Sequence, residues 1–151
     1  MADDTMCLPF VGAIIERRID DELEFLVQTR WTPKYKSIYN GTLEFAAGKL
    51  DLAYENVYDA ITREVKEETG LTVRVVKPFD TFHFYRGAIR DEHQGVSFWC
   101  KYVSGDVVLD TTEQVEYKWV TPDEALTYIT DESGRRSMTM IKELLSQEKN
   151  I

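Results

Sequence analysis

The chain has 151 residues, 43% hydrophobic and 12% aromatic, which suits one soluble globular domain with a substantial core. Its formal charge of −9 and pI near 4.7 argue against a dedicated polynucleotide binder, which normally shows a basic patch. They do not argue against a nucleotide whose phosphates a divalent cation bridges to the protein. Cys7 and Cys100 are too few for a disulfide framework, residues 1–6 are acidic without the apolar core of a signal peptide, and no apolar run reaches membrane-spanning length. A cytoplasmic protein with reduced thiols and no membrane partner is expected.

In chain order, residues 10–15 and 24–28 read as strands, with the polar stretch 17–22 as a hairpin connection. Residues 31–39, polar and aromatic around Pro33, read as a loop. A helix follows, opened by Asn56 as N-cap, with Asp59 near the positive end of its dipole, and stopped by Gly70. Residues 71–76 and 81–85 alternate as two strands around Lys77-Pro78, and 96–103 and 115–120 are two more. Thr121-Pro122-Asp123-Glu124 forms a capping box that opens a short helix to about Ile129. Residues 131–137 read as a turn and 138–147 as a C-terminal helix. Strands interleaved with one central and two late helices predict a mixed α/β fold, its sheet covered on both faces, as a single domain over residues 1–151.

The central helix carries the chemistry. At about 100° per residue, Val57, Ala60, Ile61 and Val65 form a buried stripe, and Asp59, Thr62 and Lys66 point away from it. Glu64 and Glu68 fall within the arc of the stripe, and Glu67 lies on its shoulder. Glu64 and Glu68 are a like-charge pair at i,i+4, destabilising by about 0.2–0.5 kcal/mol before any desolvation is counted. Arg63 reaches Glu67 at i+4, but no helical cation is well placed for Glu64 and Glu68. A hard divalent cation such as Mg²⁺ or Mn²⁺, which prefers oxygen ligands, would resolve the conflict; the alternative is that these glutamates are simply solvated on a fraying helix.

Residues 48–71 resemble the Nudix box, Gly-x5-Glu-x7-Arg-Glu-(apolar)-x-Glu-Glu-x-Gly-(apolar). Glu55, seven residues, then Arg63-Glu64-Val65-Lys66-Glu67-Glu68-Thr69-Gly70-Leu71 matches without a gap. Two departures lie upstream: six residues rather than five separate Gly48 from Glu55, and Ala-Ala-Gly stands where Pro-Gly-Gly is frequent. The resemblance implies a Nudix-type α/β/α sandwich with a mixed β-sheet and a Mg²⁺- or Mn²⁺-dependent hydrolase acting on a pyrophosphate linkage. It implies Glu64 and Glu68 as principal metal ligands, Glu67 sharing the cluster, the Ala47 carbonyl adding an oxygen, and Arg63 holding the carboxylates in place.

Outside the box, Glu113 stands six residues before Trp119 in a segment similar to the family's late acidic strand, and is the first choice for an added ligand or general base; Glu116 is the second. Arg30 and Lys49 are candidates for phosphate contact, with Arg86 and Arg90 behind them. Glu44 and Phe45 lead into the box as candidate walls of a nucleoside pocket, and Phe82, Phe84 and Tyr85 as stacking surfaces. His83 and His93 lack ligand spacing to another His or Cys, so zinc is rejected.

The expected substrate is a nucleoside diphosphate linked to another moiety. The Ala-Ala-Gly loop is similar to the Pro-Ala-Gly variant of ADP-ribose-type members, although Arg86 stands where those often have proline. A nucleoside triphosphate or dinucleoside polyphosphate remains an alternative; Tyr85, fourteen residues past Leu71, is near the tyrosine spacing of the latter but off it. A module that senses a nucleotide without turnover is the alternative from another class. Against it, all box glutamates are present. A homodimer is left open.

Overall fold

The computed structural model describes residues 8–30, 43–50, 55–86, 91–108 and 114–149. Its elements are β1 (Leu8–Ile19), β2 (Glu22–Arg30), β3 (Leu43–Glu44), β4 (Ala46–Lys49), α1 (Val57–Thr69), β5 (Thr72–Arg86), β6 (Asp91–Ser104), β7 (Gln114–Val120), α2 (Pro122–Tyr128) and α3 (Glu132–Lys149). The seven strands form one mixed sheet, ordered β3-β2-β1-β6-β5, with β4 also on β1 and β7 on β2. β1 runs parallel to β6; its other pairings are antiparallel.

Alternation along the strands builds two cores. On one face Val11, Ala13, Ile15, Leu26, Phe98 and Cys100 meet Ala60, Ile61 and Val65 of α1. On the other, Ile14, Phe25, Val27, Trp99 and Val120 meet Ala125 and Ile129 beside α2 and Met138 and Ile141 of α3. The fold is thus the expected α/β/α sandwich with a mixed sheet. Among the described residues, no helix is long and apolar enough to cross a membrane.

One irregularity positions the site. β1 and β2 pair only between Glu16–Ile19 and Glu22–Phe25. Beyond that, residues 10–13 of β1 take β4 as partner, and Gln28 and Thr29 of β2 take β3. The sheet opens there and residues 43–49 run into the gap, with α1 on one side.

Local signals account for most elements. Asn56 caps α1 by accepting from the Asp59 N–H at 2.9 Å, and Gly70 closes it at φ 78° with its N–H on the Lys66 carbonyl. The Thr121/Glu124 capping box opens α2 as expected. Three readings need correction. The hairpin connection is only Asp20-Asp21, both at positive φ (51° and 66°), so the strands run further than the polar stretch suggested. The two strands around Lys77-Pro78 are one, β5. Among the described residues it pairs with β6 alone, so Pro78 sits on an edge strand, and register shifts beside it absorb the ladder bond it cannot donate. The turn at 131–137 is instead the start of α3, because Asp131 accepts from the Gly134 N–H (2.7 Å) and Ser133 Oγ (3.0 Å) and Arg135 N–H bonds the Asp131 carbonyl. The loop expected at 31–39 lies outside the described residues.

Candidate active site

The stripe of α1 carries its carboxylates inward as its periodicity predicts. Glu68 is buried, at 6% exposure, the Glu64 side chain keeps 16%, and Glu67, on the shoulder, keeps 60%. Asp59, Thr62 and Lys66 are exposed.

Arg63 joins three of the helix-end carboxylates, not one. Its Nε donates to Glu55 at 2.9 Å and its Nη2 closes a two-pronged pair with the same carboxylate. Nη1 donates to Glu64 at 2.9 Å and Glu67 at 3.0 Å, and Nη2 also reaches the Lys49 carbonyl at 3.3 Å. The expected i,i+4 contact with Glu67 is present. The expectation that no helical cation serves Glu64 is corrected: the adjacent Arg63 folds back onto it. Hydrogen bonding to Glu55 is the main force driving the guanidinium further above its ordinary pKa. Burial raises the Glu64 carboxyl above its ordinary value, opposed by its hydrogen bond to Arg63 and reinforced by repulsion from Glu67 and Glu55.

Glu68 accepts from two neutral donors. Gln28 Nε2 donates to Oε1 at 2.7 Å and the Ala47 N–H to Oε2 at 3.1 Å. Gln28 is fully buried, and its own Oε1 has no hydrogen-bond partner. Gly48, buried in β4, faces Glu64 so closely that an added Cβ would lie 2.0 Å from Glu64 Oε2. The bare backbone therefore makes the space that Glu64 occupies.

Among the described residues, no three His, Cys, Asp or Glu side chains are gathered as a finished metal cluster, since Arg63 stands between Glu55, Glu64 and Glu67. The donor set still fits a hard divalent cation. It is all carboxylate, half-buried, and cradled against a strand kept free of a Cβ at Gly48. His93 is buried against Phe10, with ring centroids 4.9 Å apart, and His83 is exposed at the rim of a cavity.

That cavity, about 670 Å³, opens on the α3 face of the sheet. Glu44, Phe45, Ala46 and Ala47 form one wall, Gly12, Phe82 and Ser97 belong to the sheet side, and residues 130–134 with Arg136 and Ser137 form the opposite wall. Glu44 and Phe45 thus stand where a pocket wall was expected. The Phe82 ring lies over glycine backbone: a Cβ at Gly95 would approach its Cζ to 2.0 Å. Asp80 ties the far wall to β5, accepting from Ser137 Oγ at 2.7 Å and from Arg136 at 3.2 and 3.3 Å. Burial works to raise the Asp80 carboxyl, but the bonds from Ser137, Arg136 and the Thr81 N–H outweigh it and hold the group below its ordinary range.

The remaining candidates are dispersed. Lys49 is exposed at the end of β4. Arg30 and Tyr85 end or nearly end their strands, with side chains outside the described residues, as is that of Phe84. Glu113 and Arg90 lie outside the described residues altogether, as does the side chain of Arg86. Glu116 is exposed on β7, accepting from Thr29 Oγ1 at 3.4 Å. Gln28 was missed. A glutamine in the strand read at 24–28 among Phe, Leu and Val gives a signal, a polar residue in a buried run, but not its partner.

The NUDIX domain family model matches residues 9–140. The chain belongs to the Nudix family. Solved structures of the same fold include a Caenorhabditis elegans Ap4A hydrolase binary complex, with a TM-score of 0.76 at 19% identity over 93% of this chain and 98% of that one. The MutT protein of Methanosarcina mazei Go1 gives 0.76 at 24% identity over 94% and 97%. The NUDIX domain of Shewanella oneidensis NrtR, complexed with ADP ribose, gives 0.73 at 16% over 93% and 89%. No curated protein is matched by this sequence. Family membership, with every box glutamate and the box arginine in place, supports a pyrophosphohydrolase.

Proposed function

We propose that the chain is a Mg²⁺- or Mn²⁺-dependent hydrolase that cleaves the pyrophosphate linkage of a nucleoside diphosphate joined to another moiety. One observation carries this reading: β4 is shared. Its Ala46 and Ala47 border the cavity, while the Ala47 N–H and the bare Gly48 backbone meet Glu68 and Glu64. In this reading a nucleoside in the cavity sits beside β4, and its phosphates extend past that strand toward the carboxylates of α1.

In this reading Glu64, Glu67 and Glu68 hold the metal, and the Ala47 carbonyl is the backbone oxygen assigned to it. When bound, the cation neutralises phosphoryl oxygens and lowers the pKa of a water. Arg63 fixes the carboxylates through Glu55, Glu64 and Glu67 and is itself screened from substrate by them. Glu44 and Phe45 orient the nucleoside, Tyr85 adds a stacking ring, Arg30 and Lys49 contact phosphate, and Glu113 is the candidate base. ADP ribose, named for the Shewanella neighbour, is a nucleoside diphosphate joined to another moiety, and Ap4A, named for the Caenorhabditis neighbour, is a dinucleoside polyphosphate, so the assay panel below includes both classes. A cytoplasmic location goes with the buried, free Cys100, whose thiol burial pushes up to about 12.

The test is product release from a panel of nucleoside diphosphate derivatives, nucleoside triphosphates and dinucleoside polyphosphates. Activity is expected to vanish with chelator and return with Mg²⁺ or Mn²⁺. Full turnover in metal-free protein overturns the metal assignment, and preference for a triphosphate overturns the substrate class.

A further inference from the structure

Gln28 stands at the centre of the sheet, opposite Glu44 on β3 and Tyr117 on β7, on the same face of β2 as Leu26 and therefore toward α1. It is fully buried, and so is all but 6% of Glu68. A carboxylate only accepts hydrogen bonds, so the glutamine must turn its NH2 toward Glu68, as the 2.7 Å contact from Nε2 records. That orientation strands Oε1 on the other side of the amide, where it meets no donor. A buried acceptor left unsatisfied destabilises a fold, a cost that goes with the donor this side chain gives the buried Glu68 carboxylate. The residue is thus suited to holding a carboxylate.

We infer that Gln28 is a positioning residue: its buried amide, with the Ala47 N–H, fixes the plane and direction of the Glu68 carboxylate toward a divalent cation. The inference rests on the metal-binding reading given above. The two donors approach different oxygens of Glu68 from different strands, β2 and β4. Together they restrict the orientation of the carboxylate. Both of these donors are neutral, whereas Glu64 is bonded by the charged Arg63. Partners that orient a metal ligand without touching the metal contribute on the order of 10–100-fold in metal affinity or activity.

The experiment measures Mn²⁺ binding to the substrate-free full chain by calorimetry for wild type, Gln28→Met, Glu68→Gln and the double variant, with thermal unfolding of each metal-free protein. Gln28→Met is expected to weaken Mn²⁺ binding by about 10-fold or more, and its metal-free unfolding temperature is expected to fall, because the buried Glu68 carboxylate loses the Nε2 donor. In the Glu68→Gln background the same change is expected to weaken binding no further, because the interaction it acts through is already gone. If Glu68→Gln weakens Mn²⁺ binding but Gln28→Met does not, or if the two effects add, the inference is overturned and the metal reading stands. If Glu68→Gln leaves Mn²⁺ affinity unchanged, the metal reading itself fails. Should Gln28→Met not fold, side-chain ¹⁵N resonances of the wild-type glutamines serve instead. The Gln28 amide is expected to shift on Mg²⁺ titration and to gain exchange protection, and an amide indifferent to Mg²⁺ overturns the inference.

Discussion

Adding one methyl group at Gly48 tests the geometry most sharply, because the space it would enter is already filled. An ideal Cβ there meets Glu64 Oε2 at 2.0 Å, Cδ at 2.1 Å and Cγ at 2.7 Å. Bringing the oxygen to the 3.4 Å of ordinary contact needs a shift of about 1.4 Å, and the obstructing atoms are the flexible end of a side chain rather than backbone. Glu64 therefore yields and the strand stays. In stability the change is nearly neutral. Replacing glycine within a strand gains about 0.5–1 kcal/mol of backbone entropy. Disturbing the half-exposed Arg63–Glu64 pair loses an amount within about 0–1 kcal/mol. The two offset to within about 1 kcal/mol, or roughly 2–4 °C in a domain of this size.

In catalysis the change is severe. A displacement of about 1 Å at a group that positions a reacting centre costs on the order of 10²-fold. Gly48→Ala is therefore expected to lower kcat about a hundredfold on the preferred substrate, with an unfolding temperature within a few degrees of wild type. The assay is steady-state product release at saturating Mg²⁺ beside calorimetric unfolding of the metal-free protein. A folded Gly48→Ala protein with wild-type kcat would refute the argument, since it would show that Glu64 need not sit where Gly48 allows it to.

Glu68→Gln is expected to lower kcat by at least about 10²-fold, beyond the range of an outer partner, while metal-free stability holds or rises; a marked drop in unfolding temperature without metal would contradict this. The stability expectation follows because Gln28 can turn its amide over, offering the stranded Oε1 to the new NH2, while repulsion from Glu64 disappears. Asp80 has a depressed carboxyl, so its stabilising contribution is full above its ordinary value of 3.8 and is lost as pH falls through the lower folded value. Urea midpoints of wild type should therefore fall more steeply below about pH 4 than those of Asp80→Asn, and parallel curves would remove the premise. Glu113→Gln is expected to depress kcat strongly and erase the acidic limb of the pH–rate profile, with Glu116→Gln mild; the reverse order would mean that Glu116, beside Thr29 on β7, is the base.

What the sequence showed and what it hid divide along sequence distance. α1, its caps and the inward turn of Glu64 and Glu68 follow from a 3.6-residue period and two local motifs, and the structure has them where the period puts them. The contacts that define the site are longer. Gln28 lies 40 residues from Glu68 and Ala47 lies 21 from it, so neither pairing leaves a local trace. Glu55 is eight residues from Arg63, further than one or two helical turns and outside the helix, which is why the helical period by itself pairs the guanidinium only with Glu67. The same limit explains the misread elements. Pro78 and the Ser-Gly-Arg-Arg run look like breaks until edge pairing with β6 and the Asp80 tie to Arg136 and Ser137 are known. The two halves of β5 were each legible; their continuity was not.

The arrangement around Arg63 also explains why the family's box pairs an arginine with so many glutamates on one short helix. Glu55, Glu64, Glu67 and Glu68 bring four negative charges to one end of the sheet, and Arg63 answers only one of them. Using a single cation to bind three carboxylates is poor neutralisation but good alignment. Glu64 and Glu67 each give one oxygen to the guanidinium and Glu55 gives both, while the Gln28 amide and the Ala47 N–H, both neutral, bond Glu68. Had each glutamate its own lysine or arginine, the site would be stable and electrically spent. In the metal-dependent reading proposed above, the negative charge that Arg63 leaves unbalanced would attract a divalent cation together with an anionic phosphate.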